Sequence, residues 1–245
     1  MNDKLQQIDT LLGELNQYRA NENYRITEAL EIEYTYDSNR IEGNTLTLHE
    51  TDMVVNKGIT IAGKGLKEHL EAINHKEAID FIKNIAQKKE PISERVLLDI
   101  HAIVLHSIDK DNAGKYRRVP VIISGSKHIP PQPYLLQPQM DELFQWYEAN
   151  KDSMHPVVLA AQMHEKLVSV HPFIDGNGRT ARLLMNLILM QHSYPIANIK
   201  GDNETRRRYY ETLEEASSGD NSAFLEFIED VVIQSLTYYL KIIRG

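Results

Sequence analysis

Apolar positions recur every three or four residues along most of this chain, the spacing that gathers them on one face of a helix. From Ser93 the series Val96, Leu97, Ile100, Ile103, Val104 and Ile108 follows it, and Phe224, Leu225, Ile228, Val231, Val232, Leu236 and Tyr239 repeat it near the C-terminus. Similar patterns predict helices over about 6–40, 47–56, 66–87, 139–150, 154–170, 179–191 and 204–216. One region departs from this rhythm. Between Val119 and Pro138 five prolines and the run Val121-Ile122-Ile123 surround Ser124-Gly125-Ser126-Lys127. That composition predicts a short β-hairpin over 119–131 closed by a glycine-containing loop.

Local chemistry places two boundaries. In Thr47-Leu48-His49-Glu50 the hydroxyl can accept from the third amide while the glutamate reaches back, a capping box that opens a new helix. Glu42-Gly43-Asn44 therefore falls in the break before it, and Gly58 with Gly63-Lys64-Gly65 marks the next loop. The expected organisation is an N-terminal helical segment over 1–60 and a core over 61–245, together an all-α single domain with one small β-hairpin.

Composition narrows the chemistry. Apolar residues make up 42% of the 245 and charged residues 25%, enough for a sizeable core. With 27 basic against 35 acidic residues the net charge is −8, so nothing global draws the chain to nucleic acid or an anionic membrane. Arg206-Arg207-Arg208 reads as a solvated helix edge. The absence of cysteine excludes disulfides, thiolate nucleophiles and Cys-based metal sites. The N-terminus lacks a signal-peptide pattern, and the most apolar stretch, Leu183–Met190, is eight residues against the ~20 that span a bilayer. The expectation is a soluble, cytoplasmic protein.

The informative segment is His171-Pro172-Phe173-Ile174-Asp175-Gly176-Asn177-Gly178-Arg179-Thr180-Ala181-Arg182. Upstream, Val157, Ala160, Ala161, His164, Leu167 and Val168 share a helix face that His171 continues, just where Pro172 stops the helix. His171 should therefore point inward. Gly176-Asn177-Gly178 precedes an apolar helix, and such a loop lets backbone N–H groups converge on an anion at the helix N-terminus. A helix start favours acidic side chains, yet this one carries Arg179 and Arg182 on one face, which calls for something negative such as a di- or triphosphate. Asp175 would repel that phosphate unless a hard cation such as Mg²⁺ lay between them. His171, with an ordinary pKa of ~6.5, suits a general base that activates a hydroxyl for in-line displacement at phosphorus. Each feature alone has a plainer explanation, such as a core histidine, a turn or solvated arginines; it is their union within twelve residues that points to chemistry. A metal-dependent hydrolase would need spacing such as His-Glu-x-x-His, and His164-Glu165 lacks the second histidine. A non-catalytic ATP-sensing module would keep the loop and arginines but would have little use for His171 and Asp175.

The segment resembles the signature of the Fic family, His-Pro-Phe-x-(Asp/Glu)-Gly-Asn-Gly-Arg-x-x-Arg, at every fixed position. The resemblance implies a Fic-type helical domain and transfer of AMP from ATP to a Ser, Thr or Tyr hydroxyl of a protein, with release of pyrophosphate. By position it implies His171 as base, Asp175 as ligand of Mg²⁺ or Mn²⁺, Gly176, Asn177 and Gly178 as the anion hole, and Arg179 and Arg182 on the phosphates, with Arg182 nearest the γ-phosphate. Gly114-Lys115-Tyr116-Arg117 and the expected hairpin look like the family's flap, on which Ser126, Lys127 and His128 would hold a target segment by strand addition. Tyr209 and Tyr210 resemble the adenine-side helix, although Ser217 stands where relatives often carry Asn. Ser38-Asn39-Arg40-Ile41-Glu42-Gly43 resembles the inhibitory pattern (Ser/Thr)-x-x-x-Glu-(Gly/Asn) on the N-terminal side of the core. On a helix Ser38 lies one turn from Glu42 and could steady it. Glu42 docked on Arg182 would take the fork that the γ-phosphate needs. The same glutamate could instead direct water in a de-AMPylase or a dual-activity enzyme. Relatives that dimerise make a homodimer a further expectation.

Overall fold

The computed structural model describes residues 3–244, and ten α-helices account for most of them: α1 (Asp3–Tyr18), α2 (Tyr24–Ile41), α3 (Leu48–Lys57), α4 (Leu66–Lys88), α5 (Glu94–Val104), α6 (Leu136–Asn150), α7 (Pro156–Val170), α8 (Asn177–Gln191), α9 (Asn203–Ser217) and α10 (Ser222–Arg244). Helix α8 is the axis of the molecule. Apart from Gly178, every residue from Asn177 to Leu189 is buried, so this helix has no solvent face and must be covered on all sides. Helices α7, α4 and α5 pack directly on it, α10 backs α7, and α1 lies along α10. A single apolar core runs from Ile8 and Leu15 through Leu97, Leu159 and Leu184 to Leu236, with a small satellite of Leu46, Val54 and Ala72 beneath α3. No helix among the described residues is long and apolar enough to cross a membrane.

The helix expected over 6–40 is two. It breaks at 19–23, where Asn23 accepts from the Ile26 amide and so starts α2 as an N-cap. Helix α5 ends at Val104 rather than Ile108, and Ser107 adopts φ +61° in the turn that follows. The capping box is formed: Thr47 Oγ1 accepts from Glu50 N at 3.2 Å, and Glu50 Oε2 accepts from Thr47 N at 2.7 Å. Two buried amides pin the end of α2 to α4. Asn39 Nδ2 donates to the Thr35 and Glu71 carbonyls, and Asn44 Nδ2 donates to the Glu68 carbonyl and to Glu71 Oε2 at 2.9 Å.

The expected β-hairpin over 119–131 is not formed, and the described residues contain no strand. This segment is instead an extended loop around a turn in which Ser126 N donates to Ile123 O. Pro120, Pro130 and Pro131 have no N–H to give a ladder, and side chains from elsewhere hold the backbone in its place.

Candidate active site

The turn between α7 and α8 is fixed atom by atom. His171 closes α7 with its N–H on Leu167 O and sits at φ +49°, a left-handed conformation that a non-glycine residue holds only under constraint. The constraint is Arg117. This residue is 3% exposed; Nε donates to His171 O at 2.9 Å, Nη1 to Val119 O at 3.0 Å and Nη2 to Pro131 O at 2.6 Å, while its backbone N–H donates to Pro172 O. Burial, with a smaller push from Arg117, lowers the His171 pKa below its ordinary value, and the Val168 carbonyl partly opposes this. Nδ1 is enclosed without a well-formed hydrogen bond. The imidazole is therefore neutral at pH 7 and able to accept a proton.

Beyond Pro172 the loop is held by Asn177, whose Oδ1 accepts from Phe173 N and whose Nδ2 donates to Phe173 O, each at 2.9 Å. The Asn177 side chain thus shapes the loop instead of facing an anion. Gly176 adopts φ +80°, and a Cβ there would press on Val104 and His101 at 3.3–3.4 Å. His101 stacks on Phe173 at 3.6 Å between centroids, accepts from Gly114 N at Nδ1, and donates from Nε2 to Asp175 O. This assignment follows from the hydrogen-bond network, and burial pulls the His101 pKa down to about 4, which keeps it neutral.

The two arginines differ. Arg182 is saturated: Nε donates to Ser38 Oγ at 3.0 Å, Nη2 to Ser38 O at 2.9 Å and to Glu42 Oε1 at 2.7 Å, and Nη1 reaches Tyr209 OH at 3.4 Å. Burial pulls its pKa down, and the Glu42 carboxylate with Tyr209 and Tyr34 more than reverses that, so the charge is locked on. Ser38 is committed to Arg182 and not to Glu42, a departure from the one-turn pairing expected along α2. Glu42 follows the last residue of α2 and lies over Gly178, where any Cβ would overlap its Oε1. Arg179, 2% exposed, pairs with Asp175 Oδ1 at 3.0 Å and lies 3.4 Å from Glu71 Oε1, yet its Nε and Nη1 form no hydrogen bond. Buried donors left open at a helix N-terminus suit an anion.

Asp175 commits Oδ1 to Gly176 N and Arg179 and turns Oδ2 outward, where the exposed Lys67 ammonium is 3.4 Å away. Burial raises its pKa, but Arg179, Lys67 and the Gly176 amide outweigh burial and hold it ionised. A half-exposed carboxylate oxygen fits Mg²⁺ that takes most of its ligands from phosphate and water. Among the described residues no cluster of three or more His, Asp or Glu could cage a metal unaided.

The other expected residues fall around this centre. Tyr209 is buried under Arg182 with its hydroxyl 3.0 Å from His164 Nε2, and burial drives the His164 pKa down to about 3. Tyr210 is 42% exposed, with its hydroxyl donating to Ile41 O and Arg206 over its ring. Ser217 Oγ donates to Glu214 O on its own helix. Ser126, Lys127 and His128 form the tip of the 119–131 loop. Glu214 accepts from Ser126 Oγ and from Lys127 N at 2.8 Å, and His128 Nε2 donates to Ser169 O at 2.7 Å. Of the three consecutive arginines, Arg207 is largely exposed and Arg208 pairs with Asp230 at 2.9 Å. The roles of His101, Glu71, Lys67 and Glu214 carry no local sequence signal, because each acts on a residue distant in the chain, and the stretch Gly114–Arg117 points to the flap without showing the grip of Arg117 on His171.

The Fic/DOC family profile matches residues 91–189. The chain is similar to protein adenylyltransferase Fic of Nematostella vectensis, 39% identical over 210 residues that make up 85% of this chain and 48% of that protein. Against its counterpart from Culex quinquefasciatus the values are 39%, 85% and 41%, so the chain spans about half the length of the curated relatives it matches or less. Among solved structures, a fragment of Fic-1 from C. elegans superposes with a TM-score of 0.86 at 32% identity, covering 97% of this chain and 71% of that one. A Fic-domain-containing signaling protein from Bacteroides thetaiotaomicron superposes at 0.89 and 29% identity, covering 99% and 97%. With the full motif in place at the head of α8 and relatives of this similarity, the chain belongs to the Fic/DOC family.

Proposed function

We propose that this protein is an adenylyltransferase that moves AMP from ATP onto a Ser, Thr or Tyr hydroxyl of a polypeptide target or of itself, and that Glu42 holds it latent. The observation that carries the reading is the Glu42 carboxylate seated on Arg182 above Gly178, beside the neutral imidazole of His171. The names of the relatives support the chemistry. His171 would take the proton of the target hydroxyl as its oxygen bonds to the α-phosphorus. The bond from that phosphorus to the bridging oxygen would break, and pyrophosphate would leave. The amides of 176–178 and the open donors of Arg179 would receive the phosphates. Asp175 would hold Mg²⁺, which when bound supplies charge neutralisation between phosphate oxygens. Glu42 denies the γ-phosphate the fork of Arg182, so ATP would bind without its α-phosphorus aligned for attack. The open backbone of 119–131 would receive the target segment by main-chain pairing.

Incubation with α-labelled ATP and Mg²⁺ tests the reading. The wild-type chain should label weakly. Glu42→Gly should label at least about tenfold faster, as expected when a charge-assisted bond ceases to compete, and Glu42→Gly/His171→Ala should be silent. A Glu42→Gly protein that binds ATP yet stays as quiet as wild type would remove the inhibitory role. Label incorporated from γ-labelled ATP in a parallel incubation, and none from α-labelled ATP, would replace adenylyl by phosphoryl transfer.

A further inference from the structure

Beside the flap loop lies a groove of about 710 Å³, lined in part by His128 of the loop tip. One wall is the outgoing limb of the loop at Ile129 and Pro131, the other is α6 at Leu143 and Trp146, and the floor is the end of α7 from Glu165 to Val170. The floor ends at Val170, the residue before His171, so the groove lies next to the candidate catalytic turn. Ile129 on its rim is 78% exposed.

The floor holds an anomaly. Glu165 is only 9% exposed and forms no hydrogen bond or ion pair among the described residues. Its neighbour Lys166 cannot reach it, because adjacent residues on a helix point about 100° apart, and the Lys166 ammonium instead lies 5.0 Å from the Trp146 ring centroid. Burial raises the Glu165 pKa, while the nearby Lys166 and His128 partly oppose this. Its stem is buried but its oxygens are not sealed from water, so the carboxylate opens into the groove and is free to accept from a cationic guest. The groove also carries Glu142, giving two carboxylates against the Lys166 ammonium and the His128 imidazole, whose Nε2 is already committed to Ser169 O, so the complementary guest is cationic.

We propose that this groove is the second half of the target-docking surface and takes an Arg or Lys side chain of the segment that lies along 119–131, its cation on Glu165 and its aliphatic stem against Trp146 and Ile129. The proposal rests on the reading that a polypeptide target occupies the flap loop. It adds a side-chain preference that main-chain pairing cannot supply.

Trp146 is the only tryptophan in the chain, so its emission reports on the groove without ATP or catalysis. The probes are capped alanine-based peptides with one serine and one arginine two, three or four residues to either side, each matched by a citrulline peptide of the same shape. At one offset the arginine peptide should change Trp146 emission saturably, with affinity at least about tenfold above its citrulline twin, as a charge-assisted hydrogen bond allows. Glu165→Gln should erase that difference while keeping or raising the melting temperature, which separates lost recognition from lost folding. Equal response to both peptides at every offset, no saturable response at all, or a preference that survives Glu165→Gln would overturn the proposal. A failure here alongside active labelling by Glu42→Gly leaves the transferase reading standing, and the reverse result leaves the groove standing.

Discussion

The turn at 171–178 and the loop at 119–131 face each other across the same site and are built in opposite ways. Phe173, Asn177, Arg179 and Arg182, in and just after the turn, are almost completely buried, and the backbone is held by hydrogen bonds from Asn177 at the start of α8 and from His101 on α5. In the loop, Ile122 is 87% exposed, the two limbs form no strands, and a few side chains supply the restraint. The difference separates two requirements. Chemistry needs atoms placed to within a fraction of an ångström, whereas a segment that receives another chain needs unpaired backbone. Arg117 is where the two meet, since one guanidinium grips the His171 carbonyl and both ends of the loop.

Acid offers the largest test of that contrast. His75, His101 and His164 surround the turn, and burial holds their pKa values down: well below the ordinary value for His75, to about 4 for His101 and about 3 for His164. Below about pH 6.5 the unfolded chain takes up protons that the folded chain refuses, so stability falls as pH falls. The loss is roughly 1 kcal/mol per histidine for each pH unit until the folded values are reached. The urea midpoint should drop by several kcal/mol equivalent between pH 7.5 and pH 5. A midpoint that holds steady over that range would show these imidazoles taking up protons in the native state.

Arg117→Gln comes next and acts on both regions together. In the Glu42→Gly background it should slow AMP transfer by about a hundredfold, the usual consequence of a 1 Å misplacement, with ATP binding by calorimetry unchanged. Burial is the main cause of the low His171 pKa and the Arg117 charge is a smaller one, so removing that charge raises it and moves the acid limb of the pH–rate profile upward. A slower enzyme with an unmoved limb would reduce Arg117 to scaffolding.

Glu214→Ala should have the smallest effect. Its bonds to Ser126 and Lys127 are at the surface, where such contacts contribute less than about 1 kcal/mol. The expected result is faster proteolysis at 124–127 and a change in target KM of up to about fivefold, with kcat held. A large fall in kcat would mean that the loop tip, and not only its base, sets the position of the reacting groups.

The helices, the capping box at Thr47 and the motif from His171 to Arg182 were legible in the sequence because each is written in neighbouring residues. Ser38 misled because i,i+4 spacing suggests Glu42 as its partner, while tertiary packing brings Arg182 closer. The hairpin failed for a related reason: β-branched residues favour extended chain, but three prolines withhold the N–H groups that a ladder needs. Glu165 and Glu214 were not visible as functional candidates, and Arg117 only as part of a stretch resembling the flap, since a charged residue on an amphipathic helix or in a loop looks solvated until the fold buries it or brings a distant segment to it.

One consequence follows from Gly178. On the proposed reading, Glu42 and an incoming triphosphate would be rivals for the space that a single absent methyl group leaves open. Enlarging that residue to tighten the brake would evict the substrate along with it, so a throttle of this kind could not be retuned at the seat. It would have to be retuned from the hinge, where Asn39 and Asn44 moor the end of α2, and an agent that prised those two amides away from α4 would switch such an enzyme on without touching its reaction centre.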